Sequence, residues 1–121
     1  RSIVTIRGDG LFDPGSATLA AEREPLMLRI ADAVNSVQGR VLITGHTDNV
    51  PIRSARFPSN WHLSQDRAKS VAELLGRKIT QPSRLLAEGR AESEPVAPND
   101  SPANRARNRR VEITVFVSKP A

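Results

Sequence analysis

The sequence contains no cysteine, which excludes a disulfide framework and any thiolate metal site. It also lacks a long apolar run. Its longest stretch falls well short of the roughly 18 residues that a membrane-spanning helix needs, and residues 1–20 do not show the order of charged, apolar and small residues that marks a signal peptide. Aromatic residues make up only 3% of the chain, which leaves little material for the stacking platforms that hold single-stranded nucleic acid. There is no His-Glu-x-x-His spacing, and no serine stands in a Gly-x-Ser-x-Gly turn, so the common zinc-hydrolase and serine-hydrolase patterns are missing.

What remains is a chain of 121 residues, 38% hydrophobic, with a net charge of +5. That is one domain with one core, and a basic surface that favours an anionic partner through an attraction weakened by salt. Nucleic acid, acidic lipid and the carboxylate-rich cell wall all qualify. The start at Arg1, without Met and directly in a strand-like run, suggests a piece of a longer protein.

Periodicity gives the element order. Residues 2–7 (Ser-Ile-Val-Thr-Ile-Arg) are rich in β-branched side chains and read as a strand, closed by the turn Gly8-Asp9-Gly10. Leu26, Ile30, Val34 and Val37 recur at helical spacing, predicting a helix over about 18–36 that bends or restarts near Pro25. Residues 40–45 form an apolar run of the kind a strand covered on both sides shows. A proline-bearing loop is expected over 49–62, then a helix over 64–79 with Ser64 as N-cap and Gln65 and Asp66 in its first turn. Residues 84–89 read as a strand, 92–104 as a second loop, and 110–117 as an alternating strand with Val111, Ile113, Val115 and Val117 on one face. The order β-α-β-α-β-loop-β implies a largely parallel sheet with helices packed on it, the last strand being free to run antiparallel.

One residue breaks the pattern. Projected at 100° per residue, Leu63, Ala68, Val71, Ala72, Leu74 and Leu75 share one arc of the second helix, and Arg67 falls inside it. A buried guanidinium needs an acceptor, and a cation in a first helical turn opposes the macrodipole. Asp48 lies just beyond the second strand, at the sheet edge where α/β proteins gather ligands. An aspartate and an arginine not consumed on each other could hold a zwitterion. The bland alternatives are a structural salt bridge or a snorkelling stem for Arg67, and an Asx turn for Asp48.

Three blocks then occur in order: Gly45-His46-Thr47-Asp48-Asn49, Asn60-x-x-Leu63-Ser64-x-x-Arg67-Ala68, and Asn108-Arg109-Arg110-Val111-Glu112. They resemble the signature blocks of the OmpA-like, peptidoglycan-associating C-terminal domain. The resemblance implies a single domain over 1–121 with an α/β fold, a two-layer α+β sandwich. Its order would be β-α-β-α-β-β, with a mixed, mostly parallel four-stranded sheet and helices on one side. It implies non-covalent binding of peptidoglycan through the diaminopimelate of the stem peptide. Asp48 and Arg67 would clasp the ligand, with Asn60 and Arg109 as further binding residues. Neither catalysis, nor a cofactor, nor a metal is implied.

The long connection from Asp48 to Asn60, including Val50-Pro51-Ile52 and Phe57-Pro58-Ser59-Asn60-Trp61, and the segment 98–110 are most similar to the long-form TssL group of type VI secretion, then to the MotB group of flagellar stators. Either likeness implies a periplasmic domain of an inner-membrane protein in a Gram-negative bacterium, attached to the membrane by a segment outside this chain. Other secretion-complex subunits and a second copy of the domain are the implied protein partners.

Rival readings are a nucleic-acid binder through Arg105, Arg107, Arg109 and Arg110, a hydrolase with His46, Asp48 and His62 as metal ligands, and an interaction module using Trp61 and Phe57 as anchors. Large aromatics more often plug a loop onto the core.

Overall fold

The computed structural model describes residues 1–52 and 57–117. Strand β1 (Ser2–Arg7) leads through the loop 8–20 and a short 3-10 turn (Ala21–Arg23) into α1 (Glu24–Asn35). Pro25 occupies the first turn of α1, where its missing N–H costs nothing and its fixed φ suits the helix. The helix therefore starts at the proline, and the expected segment from 18 onward is loop and 3-10 turn. Strand β2 (Gly39–His46) is followed by α2 (Asn60–Gly76), β3 (Leu85–Gly89), a short α3 (Pro102–Asn108) and β4 (Arg110–Val117).

The strand order is β1-β4-β2-β3. Strands β2 and β3 pair in parallel, while β4 inserts antiparallel between β1 and β2. Three strands thus point one way, as the alternating order predicts, and the last is inverted. The inverted strand supplies two of the three ladders.

Helices α1 and α2 pack on the same face of the sheet. Val41, Ile43, Ile113 and Val115 project from the sheet into a core completed by Met27, Ile30 and Val34 of α1 and Val71 and Leu75 of α2. On the other face Leu42 is half-buried and Leu86 is 65% exposed. The apolar run 40–45 is therefore that of a central strand covered on one side, not on both.

Helix α2 begins four residues earlier than periodicity indicates. Ser59, not Ser64, is the N-cap, its side chain accepting from the His62 N–H. Ser64 lies fully buried inside the helix. Its hydroxyl donates to Trp61 O and accepts from the Ala91 N–H, both at 3.1 Å. Arg67 accordingly sits in the second turn, beyond the orphan N–H groups, and the macrodipole argument does not apply to it.

The segment read as loop over 92–104 ends in α3, capped by Ser101 with Pro102 in the first turn. These are local start signals that the density of prolines obscures. Of the long 49–62 connection, residues 53–56 lie outside the described part.

A cleft holding two carboxylates and two guanidiniums

Gly45 and Gly89, at the ends of β2 and β3, set the position of the site. A Cβ on Gly45 would collide with the backbone of Ser64, and one on Gly89 with the backbone of Gln65. Only glycine lets α2 rest this closely on the strand ends. Gln65 completes the junction, donating to Ala87 O and accepting from the Gly89 N–H at 2.8 Å. The result brings α2 beside the exit of β2, where Asp48 stands.

Asp48 is buried. Its Oδ1 accepts from the Val50 N–H at 3.0 Å, the Asx turn that its position suggests. Its Oδ2 accepts from Arg109 Nη1 at 2.6 Å. Asn60, the first residue of α2, donates to Asp48 O at 3.4 Å and to Val50 O at 3.0 Å, so it fixes the backbone of this turn.

Arg67 is 7% exposed. Nε donates to Ser16 O at 2.8 Å and Nη2 to Asp13 O at 3.3 Å, while the guanidinium carbon lies 4.9 Å from the centre of the Phe12 ring. Among the described residues it forms no salt bridge, and Nη1 takes no hydrogen-bond partner. Burial pulls its pKa below the ordinary arginine value and Arg109 acts in the same direction, whereas Asp9 and Asp48 oppose them. The two carboxylates are thus close enough to be felt but are not bonded to it.

Arg109 links the far wall. Besides Asp48 it holds Asp9 through Nε to Oδ1 at 2.9 Å and Nη2 to Oδ2 at 2.8 Å. The hydrogen bonds to Asp9, then to Asp48, raise its pKa above the usual arginine value. The same pairing holds the Asp9 carboxyl below 3.8.

All four predicted residues, Asp48, Asn60, Arg67 and Arg109, line one cleft of about 490 Å³, together with Asp9, Phe12, Val50, Ile52 and Leu63. The direct partner of Asp48 is Arg109, not Arg67. Asp9 and Phe12 were not singled out from the sequence. Asp9 reads locally as a turn residue between two glycines, and it is the pairing of β1 with β4, continued by the Gly8 N–H bonding to Arg109 O at 2.7 Å, that brings that turn to the site.

The residues behind the rival readings disperse. Arg109 is engaged as described, and Arg110 is 4% exposed with Nε on Glu112 at 2.8 Å, so two members of the arginine cluster are already held by carboxylates. His46 is buried, His62 is exposed beside Ser59, and among the described residues no group of three metal-ligating side chains forms. Phe57 is 1% exposed, plugging a small cluster with Ala17 and Leu63, whereas Trp61 is 54% exposed. No helix among the described residues is long and apolar enough to cross a membrane.

The model of the OmpA family matches residues 11–109. Motility protein B of Bacillus subtilis is 38% identical over 116 residues, covering 94% of this chain and 44% of that protein. The peptidoglycan-binding protein ArfA of Mycobacterium tuberculosis is 35% identical over 102 residues, covering 84% of the chain and 30% of the protein. The chain thus spans less than half the length of either relative. Among solved structures, the cell wall anchor of the T6SS from Pseudomonas aeruginosa superposes with a TM-score of 0.91 at 59% identity, covering 96% of this chain and 81% of that one.

Proposed function

The chain belongs to the OmpA family, and from that premise we propose that it binds peptidoglycan without covalent chemistry and anchors a larger assembly to the cell wall. The portion gripped is the free amino-acid centre of diaminopimelate in the stem peptide. Its ammonium sits on Asp48 and its carboxylate on Arg67, each through charge-assisted hydrogen bonds. Asn60 keeps the Asp48 turn in place, and Arg109 closes the wall of the cleft.

The observation that carries this reading is that Asp48 and Arg67 line one cleft without bonding to each other, with Arg67 Nη1 left free among the described residues. Charge balance supports it. Two carboxylates, Asp9 and Asp48, face two guanidiniums, Arg67 and Arg109, a neutral total that suits a zwitterion better than a simple anion or cation.

The likeness to the T6SS anchor favours a TssL-like subunit of the type VI secretion membrane complex. The domain would act in the periplasm of a Gram-negative cell, joined to the inner membrane by a part of the protein outside this chain. Other subunits of that complex, and a second copy of the domain, are the proposed protein partners. The likeness to Motility protein B supports a second reading, a flagellar stator anchor built on the same cleft. An OmpA-like fold that serves only as an interaction module is the reading that wall binding would eliminate.

Purified sacculi provide the test. Wild-type protein is expected to sediment with them, and Asp48→Ala and Arg67→Ala to remain in the supernatant with unchanged circular dichroism. Normal sedimentation of both folded variants would overturn the site assignment. Grafting the domain onto a TssL or a MotB membrane segment, and scoring secretion against motility, separates the two anchoring contexts.

A further inference from the structure

Arg109 divides its donors unequally between two carboxylates. Nε and Nη2 fork onto the two oxygens of Asp9 at 2.9 and 2.8 Å, whereas Nη1 alone reaches Asp48, at 2.6 Å. A guanidinium beside a lone carboxylate commonly makes the fork itself, through two parallel N–H···O bonds. Here Asp9 takes that fork. Asp48 gives one oxygen to a single arginine nitrogen and the other to the Val50 N–H, and a carboxylate with about four lone-pair directions keeps room for a further donor.

Folding stability gives little reason for the Asp9 contact. The Asp9 side chain is 55% exposed and that of Arg109 31%, and ion pairs this open to water contribute little. The backbone nevertheless fixes Asp9 in place, since the preceding Gly8 N–H donates to Arg109 O at 2.7 Å, and a Cβ on Gly8 would crowd that same carbonyl at 3.0 Å.

We propose that Asp9 is a positioning residue that holds Arg109 off Asp48, so that Asp48 stays open to a ligand ammonium and the cleft selects zwitterionic amino acids over plain carboxylates. This deepens the peptidoglycan reading and rests on it. Without Asp9, the guanidinium swings onto Asp48 with two nitrogens and takes up one of the two lone-pair directions left for a ligand ammonium. The cleft then holds two guanidiniums against one carboxylate, a balance that favours anions.

Calorimetric titration tests this with meso-diaminopimelate and with pimelate, which has the same carbon chain and carboxylates but no amino groups. Asp9→Asn is expected to weaken diaminopimelate binding by about tenfold, the size of one charge-assisted hydrogen bond, while pimelate binding holds or improves. Asp9→Glu, which keeps a two-oxygen carboxylate for the Arg109 fork where asparagine keeps one acceptor oxygen and no charge, retains most of the affinity. An Asp9→Asn protein that binds diaminopimelate as wild type does overturns the proposal. Wild-type protein that binds neither compound nor sacculi counts against the wall-binding reading instead. The ligand-free crystal structure of Asp9→Asn then decides: Arg109 forked on Asp48 upholds the positioning role, and a single remaining contact refutes it.

Discussion

Arg67 lies with its guanidinium carbon 4.9 Å from the centroid of Phe12, and its Nε and Nη2 reach the carbonyls of Ser16 and Asp13. The loop after β1 thus wraps an arginine from α2 and fixes the plane of its guanidinium. This is how an arginine is tolerated on an apolar helix face: backbone oxygens and a ring face replace water.

Lysine cannot copy that arrangement, because a compact ammonium lacks the planar fork and the stacking face. Arg67→Lys is expected to lose sacculus binding as fully as Arg67→Ala. It should also lower the unfolding free energy by about 1–3 kcal/mol, the range for losing a hydrogen bond to a buried group. Sedimentation with sacculi and urea unfolding read the two effects separately, and substantial wall binding by the lysine variant would contradict the geometry.

Asn60 acts on Asp48 through the backbone, donating to the carbonyls of residues 48 and 50. Asn60→Ala leaves both without that donor and frees the turn. A stability loss of about 1–2 kcal/mol is expected with clearly reduced sacculus binding, even though the Asp48 carboxylate is untouched. Unchanged binding would restrict Asn60 to capping the fold.

His46 gives the molecule an acid-sensitive point. It is 2% exposed, and neither ring nitrogen has a hydrogen-bond partner among the described residues. Nε2 lies 3.5 Å from Glu112 Oε1, an ion-pair distance rather than a hydrogen bond. Burial chiefly, and the charge of Arg110 next, push its pKa below 6.5, with Glu112 and Glu94 opposing. The unfolded chain therefore takes up a proton at higher pH than the folded one, and stability falls as pH drops below 6.5 toward the folded value. Urea midpoints measured on either side of 6.5 should show this decline in wild type and a flatter response in His46→Gln. The Asp9 carboxyl, held below 3.8 by Arg109 but open to water, adds only a little stability above that value and loses it in a separate, more acidic window.

Asn108 is wholly buried and uses its entire side-chain amide. Oδ1 accepts from the N–H groups of Val96 and Ala97 at 2.8 and 3.1 Å, and Nδ2 donates to Ala97 O and Asn99 Oδ1 at 2.9 and 2.8 Å. Asn108→Asp keeps the shape but turns the two donations into oxygen-oxygen contacts. It should cost about 2–4 kcal/mol, as Asn108→Ala should, since buried groups lose their partners in either case. A near-neutral aspartate variant in urea unfolding would show that the 96–99 loop is held by other means.

The sequence carried the strands well, because β-branched runs and strict alternation are local signals, and 2–7, 84–89 and 110–117 lie within a residue or so of the observed limits. Helix starts were less legible. Ser59 and Ser64 are both good caps by composition, and what separates them is that Ser64 is needed against Ala91, a contact across 27 positions. The choice of cap moved Arg67 from the first turn to the second.

Composition and periodicity, acting through neighbours a few residues apart, were enough to set a mixed α/β fold, to put Arg67 on a buried face and to leave Asp48 at a strand exit. Which charge meets which was decided only when β4 entered the sheet between β1 and β2. That insertion set Arg109 beside Gly8 and Asp9, 100 residues away along the chain from the latter. An ion pair at such separation leaves no periodic trace, since it depends on strand pairing and not on local conformation.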